Sequence, residues 1–593
     1  GARVFSDEYG GFRVLIDFTA EGGRNFARLT QRIAEENRPG QVPGRLAIVL
    51  DGVLYSAPTV QNAITGGSAE ISGRFSQRDA FELANVLNNP LDVPLEIVEM
   101  YEIGPTLAGD SIASAKMAMI IGASLVVVFM AVYYLIAGVV ACIALAINVL
   151  VILGTLASLG ATLTLPGIAG IVLTIGMAVD ANILIFERIR EELRIGKSIK
   201  SALHAGFDKA LSAILDANIT TLLAAAILIY LGTGPVKGFG VTLAIGIFTS
   251  VFGALIVTRL ILDFLINSGI VSSLPMLQFV KEPKIDFLKY RKPAFIGAGA
   301  VIVVGIIAIF ARGNDIYGID FVGGDEIRIS FTERLDTGEI ARVAEAHDLG
   351  EVIPVYRSPI GGTMEELIIQ TQSGEGEAVF AALDEEFPEA GLVLVGESFI
   401  GPSVGKEIRN NAIISLGVAL IGILLYVALR FEVGYGVASV VALAHDVLIC
   451  VGLFVLSGKQ FTAPMVAGVL MVVGYSINDS IVIFDRLREQ LTLDPSSKLY
   501  DIINFSINRT LSRTLLTSIT TLLATGALYL FGGGVVNDFA FIFLLGIISG
   551  TFSSIFIGSP IFYWWHKGDR RHVEERKDVL PNYEWVASSK ASK

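Results

Sequence analysis

The chain has 593 residues, 53% of them apolar and only 17% charged, with a mean hydropathy of +0.65 and a formal net charge of −13. A soluble globular domain carries about 25% charged residues, so the composition excludes one, together with disordered, collagen-like and disulfide-rich chains. The two cysteines, Cys142 and Cys450, lie in apolar runs; they make neither a disulfide framework nor a zinc site and read as small hydrophobic side chains.

The chain opens at Gly1 inside a folded-looking segment with no legible signal peptide, so the natural protein is expected to be longer at this end. Residues 1–113 read as strand 12–18, helix 22–36, strands 45–50, 53–57 and 68–72, helix 77–88 and strand 95–102. That order is a ferredoxin-like α+β unit with an added strand. Apolar stretches of the roughly 20 residues that cross a bilayer follow at 117–136, 138–160, 165–188, 211–232 and 239–266, making a first bundle over 114–268. A linker, 269–292, leads to a sixth stretch at 293–312 within 293–313. Residues 314–409 then read as strand 325–331, helix 336–347, strands 351–356 and 365–371, helix 377–387 and strand 392–399, the βαββαβ ferredoxin-like order. Five more stretches at 411–430, 436–458, 462–486, 514–533 and 539–565 form a second bundle over 410–566, before a tail at 567–593.

Charge sets the orientation. Segment 1–113 holds 9 basic and 15 acidic residues, and segment 314–409 holds 6 and 20; against −13 for the whole, everything else carries +7. Lys and Arg near helix ends mark the cytoplasmic side. They gather at Arg188, Arg190, Arg194, Lys197, Lys200 and Lys209, at Arg486, Arg488, Lys498 and Arg509, in the linker and in the tail. Threading eleven spans puts all of these on one side and both acidic segments outside. A preceding helix would make twelve spans, six per half.

The two halves repeat. Residues 176–192, GMAVDANILIFERIREE, match 474–490, GYSINDSIVIFDRLREQ; KALSAILDANITTLL (209–223) matches RTLSRTLLTSITTLL (509–523). Identities at Phe186/Phe484, Arg188/Arg486, Arg190/Arg488 and Thr220/Thr520 argue against chance likeness of apolar sequence. Repeated halves packed about a pseudo-twofold axis are a transporter-like plan with the working site at their interface, although duplication for structure alone stays open.

Ionisable residues inside the spans are the candidate site. Asp180 sits mid-span and aligns with Asn478, while Asp479 aligns with Ala181; Asn182 follows on the same helix. Asp446, beside His445, lies mid-span where the first half has Asn148. A carboxylate at mid-bilayer costs about 2.5–3.5 kcal/mol, so it faces the interior and pairs with something. Desolvation also fits such a group for binding and releasing protons. Arg513, opposite Ala213, is the available cation; snorkelling to the headgroups is its alternative. Asp216 is expected at the interface. His347 reads as a surface residue. No nucleophile, metal or nucleotide constellation appears, so an enzyme is not expected, and the basic residues hug the membrane in a way unlike nucleic-acid binding.

GGSAEISG (66–73), VPLEIVE (93–99), GPTLAGDSI (104–112) and GMAVDANILIFERIREEL (176–193) in the first half, and GIDFVGG (318–324), ALAHDVL (442–448), GYSINDSIVIFDRLRE (474–489) and LSRTLLTSITTLL (511–523) in the second, resemble the bacterial protein-export membrane proteins SecD and SecF, fused as SecDF. The resemblance covers essentially the whole chain. It implies a polytopic α-helical membrane protein of two pseudo-symmetric halves in the resistance-nodulation-division superfamily, with two ferredoxin-like extracytoplasmic domains, in the bacterial cytoplasmic membrane. The implied activity is an accessory of the Sec translocase that uses the proton gradient to pull secreted polypeptides outward in the late stage of export. Asp180 and Asp479 would carry protons and Arg513 would be the switching counter-ion, with Asn182, Asn478, His445 and Asp446 in support. No cofactor is implied beyond the proton gradient, and sodium in place of the proton stays open. The implied partners are the SecYEG translocon, YajC, YidC, SecA, unfolded secretory polypeptide and membrane lipids. The resemblance further implies that the family's first span and the head of its first outer domain precede residue 1. Val322 stands where the family commonly has Thr. A small-molecule or lipid exporter of the same superfamily and a non-transporting translocase scaffold are the alternatives.

Overall fold

The computed structural model describes residues 1–573 except 7–11, 37–43, 51–52, 57–58, 61, 89–98, 104, 162, 279–282, 348, 351 and 358–364; the expected tail beyond 573 and the start of the strand expected at 95–102 lie outside the described residues. The chain divides into two units, Gly1–Glu96 and Ile97–Lys593.

The first unit contains β1 (Ala2–Ser6), β2 (Phe12–Asp17), α1 (Ala20–Glu36), β3 (Ile48–Leu50), β4 (Val53–Ser56), β5 (Ser68–Phe75) and α2 (Gln77–Asn88). Its antiparallel sheet runs β1-β2-β5, and β3 and β4 pair as a separate hairpin. Alternation along the strands turns Ala2, Val14 and Ile71 inward against Ala80, Leu83 and Ala84 of α2. The Asn88 side chain accepts from Ala2 N at 2.5 Å and donates to Ala2 O at 2.6 Å, tying the end of α2 to β1. This corrects the ferredoxin-like expectation for 1–113. The short strand β1 carries only two inward residues and gave no usable alternation. The unit ends at Glu96, and the last expected strand belongs elsewhere.

That strand is β6 (Glu99–Ile103) of the second unit. It precedes α3 (Pro105–Tyr134), α4 (Ile136–Ser158), α5 (Leu165–Arg194), α6 (Ile199–Leu231) and α7 (Gly234–Phe252), which continues through a wide π turn at Gly253–Val257 into α8 (Thr258–Asn267). After α9 (Arg291–Arg312) and the single turn α10 (Ile319–Val322) come β7 (Gly324–Ser330), α11 (Thr337–Ala346), β8 (Ile353–Arg357), β9 (Glu366–Thr371), α12 (Gly376–Glu386) and β10 (Val393–Ile400). The bundle resumes with α13 (Pro402–Arg430), α14 (Val433–Leu456), α15 (Ala463–Leu493), α16 (Leu499–Phe531) and α17 (Gly534–Ser553), a second π turn at Ser554–Gly558, and α18 (Ser559–Trp565). The antiparallel sheet order β6-β10-β7-β9-β8 is the ferredoxin-like arrangement expected for 314–409, with β6 added at its edge.

Among the described residues, eleven helices are long and apolar enough to cross a membrane, as the hydropathy pattern predicts. Several begin well before their apolar stretches, α6 and α16 among them. α6 starts at Ile199 and α16 at Leu499, because their polar first turns bury Ala202, Leu203, Phe207 and Ala210, and Leu499, Ile502, Ile503 and Ile507.

The spans α5 and α15 are 83% and 89% buried and form the centre of the bundle, whereas the apolar α9 is 11% buried. The halves cross over: α5 packs on α16, and α15 packs on α6. Both crossings are glycine against threonine. A Cβ on Gly176 would stand 3.2 Å from Thr521 Cα, and one on the matched Gly474 would stand 3.5 Å from Thr221 Cα. Small residues let helix backbones approach this closely, and Thr221 adds a hydrogen bond to Gly474 O at 3.1 Å.

Candidate functional site

Just past the glycine crossing, about one helical turn along α5, Asp180 faces the seam. Arg513 Nη2 lies 3.2 Å from its Oδ1 and donates to it. Asn478 Nδ2 donates to its Oδ2. One carboxylate from the first half is therefore held by a cation and an amide from the second. Arg513 turns inward to the seam rather than outward. Its side chain is 6% exposed. Snorkelling is thereby replaced by a buried ion pair.

The pair is incompletely satisfied. Arg513 Nε and Nη1, Asn478 Oδ1, Asn182 Oδ1 and Asp479 Oδ2 are buried without a hydrogen-bond partner among the described residues. Asp479 does not hydrogen-bond to Arg513, though the charges of Arg513 and Asp180 both reach it. The one-residue offset turns it about 100° around α15 from Asn478, off the face that meets Asp180. A cavity of ≈ 40 Å³ opens beside the pair, lined by Asp180, Asn478, Arg513, Asn218, Thr221 and Ser250 among others. A site with several polar partners and that volume has room for water.

A second polar cluster lies on the other side of α15. Asp446, fully buried on α14, accepts from Ser549 Oγ at 2.6 Å and pairs with His445 Nδ1 at 3.0 Å through Oδ1, and accepts from Ser476 Oγ at 2.5 Å and Ser553 Oγ at 2.6 Å through Oδ2. The spacing of Ser549 and Ser553, one turn apart on α17, was legible in the sequence; their meeting with Asp446 was not. The matched Asn148 has both amide atoms buried without a partner among the described residues.

Asp216, expected at the interface, pairs with the last residue of a neighbouring span, Arg430 at the end of α13. It is 4% exposed and is held by Arg430 Nε at 2.8 and 3.0 Å and by Tyr426 OH at 2.8 Å. Sequence reasoning passed over Arg430 and Tyr426, which lie more than 200 residues away.

At the sheet end of the bundle, Asp320 of GIDFVGG accepts from Ala463 N at 2.7 Å, on the first turn of α15, and from Tyr101 OH of β6 at 3.4 Å. Burial pushes its carboxyl up to about 6; the Ala463 N–H opposes that, and the nearby Glu326 adds to it.

Together, a duplicated helical bundle and an ion pair across its seam define a repeat-built, multi-pass membrane protein of transporter plan. Residues 84–268 and 386–568 match the protein export membrane protein SecD/SecF C-terminal family, and residues 1–93 match the SecDF P1 head subdomain. The protein translocase subunit SecDF of Thermus thermophilus is 40% identical over 586 residues, covering 97% of this chain and 77% of that one. The SecDF of Brucella abortus is 35% identical over 567 residues, 93% and 71% of the two chains. The crystal structure of SecDF from Thermus thermophilus, described as a translocon-associated membrane protein, aligns with a TM-score of 0.77 at 40% identity over 96% of this chain and 77% of that one. The chain belongs to the SecD/SecF protein-export family in its fused SecDF form. The match of residues 1–93 to the P1 head overturns the expectation that the head lies before residue 1.

Proposed function

We propose that this protein is an accessory subunit of the Sec protein translocase that uses the proton gradient to drive secreted polypeptides outward across the bacterial cytoplasmic membrane. One observation carries the reading: the Asp180–Arg513 ion pair, buried within the helix bundle, joins the two halves. Protonating Asp180 removes its charge and its claim on Arg513. The guanidinium then holds unspent donors, and Asp479 is the next carboxylate within reach of its field. Exchange of Arg513 between the two resets the packing of α16 against α5 and α15. One charge crossing 100 mV yields about 2.3 kcal/mol, a useful bias on a two-state bundle.

The relatives' translocase names favour this reading over a small-molecule or lipid exporter and over an inert scaffold. The basic side chains Arg188, Arg190, Arg486 and Arg488 gather at the bundle end opposite the sheet. That supports a cytoplasmic location for them and an extracytoplasmic one for the two polar segments. SecYEG is the proposed channel partner and an unfolded polypeptide the cargo; YajC, YidC and SecA are further candidate partners. Sodium in the proton's place is an outcome that the same assay resolves.

The test is export into inverted membrane vesicles by the full protein with the gradient intact or collapsed. Asp180→Asn should assemble normally and lose the gradient-dependent part of export. Normal gradient-driven export by that variant overturns the assignment.

A further inference from the structure

Helices α6 and α13, one from each half, touch at Gly422, where a Cβ would stand 2.8 Å from Leu223 Cδ2. Beyond that crossing, toward the end of α13, long side chains bridge them: Tyr426 and Arg430 reach across to Asp216. A cavity of ≈ 520 Å³ lies beside this bridge, a volume in the range that holds a small ligand.

The two ends of the cavity differ. Leu211, Leu215 and Ile219 make an exposed wall, spaced four residues apart over about 12 Å of α6. Helix α6 is one of the eleven spans, so this wall faces acyl chains. The polar end holds Arg430, the last residue of α13, with Ser212 and Asp208. A basic side chain at the end of a span lies at the level of the headgroups. Arg430 binds Asp216 through Nε. Its Nη1 and Nη2, and the Ser212 hydroxyl, make no hydrogen bond among the described residues. The guanidinium therefore keeps a fork of N–H donors, whose geometry suits a phosphate.

Charge narrows the headgroup. Arg430 is neutralised by Asp216, and Lys209 on the same wall is bound to Glu192 at 2.7 Å. Asp208 is 71% exposed and has Arg259 only at 4.0 Å. An anionic lipid finds donors here but no free positive charge, and Asp208 repels it. A phosphate for the Arg430 fork and an ammonium for Asp208 is the charge pattern of phosphatidylethanolamine.

We propose that this groove binds one phosphatidylethanolamine, with its phosphate on Arg430 and Ser212, its ammonium on Asp208 and an acyl chain along Leu211, Leu215 and Ile219. The lipid then bridges the two halves. The site rests on the spans and the groove, and not on the proton-driven reading above.

Native mass spectrometry of the full protein tests it, after detergent has stripped loosely held lipid. The protein is titrated with phosphatidylethanolamine, phosphatidylglycerol or phosphatidylcholine of identical chains. One phosphatidylethanolamine should bind about tenfold more tightly than either of the others. Leu215→Trp fills the apolar wall and leaves every polar partner in place; it should weaken that binding about tenfold. Arg430→Lys keeps a cation for Asp216 and loses the fork, and should weaken it similarly. Asp208→Asn should still bind but lose the preference for phosphatidylethanolamine over phosphatidylcholine. Val303→Trp, on the exposed face of α9, should bind as the parent does. Should Arg430→Lys fail to accumulate, Leu215→Trp and Asp208→Asn decide the matter. Equal affinity for the three lipids, tighter binding of phosphatidylglycerol, or parent-like binding and preference in either of those two variants overturns the site.

Discussion

Arg188 and Arg486, matched residues of the two halves, reach across the seam in opposite directions. Arg188 Nη1 lies 3.3 Å from Glu489 of α15, and Arg486 Nη1 lies 3.6 Å from Glu191 of α5. Glu191 and Glu489 are themselves matched residues, so the ion pairs obey the pseudo-twofold axis that relates the helices. Each also has an internal partner, Glu191 for Arg188 at 3.2 Å and Glu489 for Arg486 at 2.7 Å. The four side chains form one partly buried network that pins the central helices at the end opposite the sheet, while Asp180 lies eight residues, about 12 Å, back along α5.

That geometry predicts energetic coupling across the seam. A double-mutant cycle on Arg188→Ala and Glu489→Ala should give a coupling of about 1–3 kcal/mol, and the cycle on Arg486→Ala and Glu191→Ala a similar one. Denaturant unfolding of the detergent-solubilised protein is the measurement. Additive single effects in both cycles would mean that the network does not hold the halves together.

The Asp180–Arg513 pair predicts a separation of stability from activity. Arg513→Met leaves a buried carboxylate without its cation and should cost about 3–5 kcal/mol. Adding Asp180→Asn removes that charge, so the double variant should regain most of the loss in thermal unfolding. It should still show no gradient-driven export, since neither the proposed proton carrier nor its proposed counter-ion remains. Restored export in the double variant would make the pair a structural lock.

The repeat made much of this site readable. Aligning the halves placed Asn478 at Asp180's counterpart, and residues at matched positions of central helices meet near a pseudo-twofold axis. The lone Arg513 stood out as the cation for the same reason, because its counterpart is alanine. Asp479 ranks with Asp180 by its depth, its near-matched place in the repeat and the family resemblance. Depth does not carry azimuth, and one residue of offset turns Asp479 away from the pair. The spans were legible because twenty apolar residues have few other uses, but the polar beginnings of α6 and α16 were not, since their burial comes from neighbours. Strand β6 shows the same limit. Its alternation announces a strand and says nothing of which sheet it will join.

Asp320 predicts a pH dependence whose sign follows from burial. Its folded carboxyl titrates at about 6 against an ordinary 3.8. The folded protein therefore binds this proton more tightly than the unfolded chain. Its stabilising contribution is complete below pH 3.8, declines as pH rises, and is gone above about 6. The difference amounts to about 3 kcal/mol. Asp320→Asn keeps an oxygen to accept from Ala463 N and carries no charge at any pH. Melting curves across this window should fall with rising pH for the parent and stay flatter for the variant, which should be the more stable of the two at pH 8. Parallel curves would show that Asp320 is not the titrating group.

The glycine crossings differ enough to predict an asymmetry between the halves. A methyl group on Gly176 would come within 3.1 Å of Ala524 Cβ and 3.2 Å of Thr521 Cα, so a backbone has to move. On Gly474 the nearest atoms are Thr221 Cγ2 at 3.3 Å and Thr221 Cα at 3.5 Å, and a small rotation of the threonine relieves the first. Gly176→Ala should therefore cost about 1–3 kcal/mol as an overpacked contact, and Gly474→Ala less. Activity should follow the same order for a geometric reason. Asp180 stands one turn beyond Gly176 on α5, and Arg513 stands on the helix that the new methyl group pushes away, so the 3.2 Å ion pair lengthens. Gly474→Ala strains the α15–α6 crossing, which carries Asn478 but neither member of the ion pair. Equal losses of stability and of gradient-driven export in the two variants would show that the tight α5–α16 contact does not set the geometry of the pair.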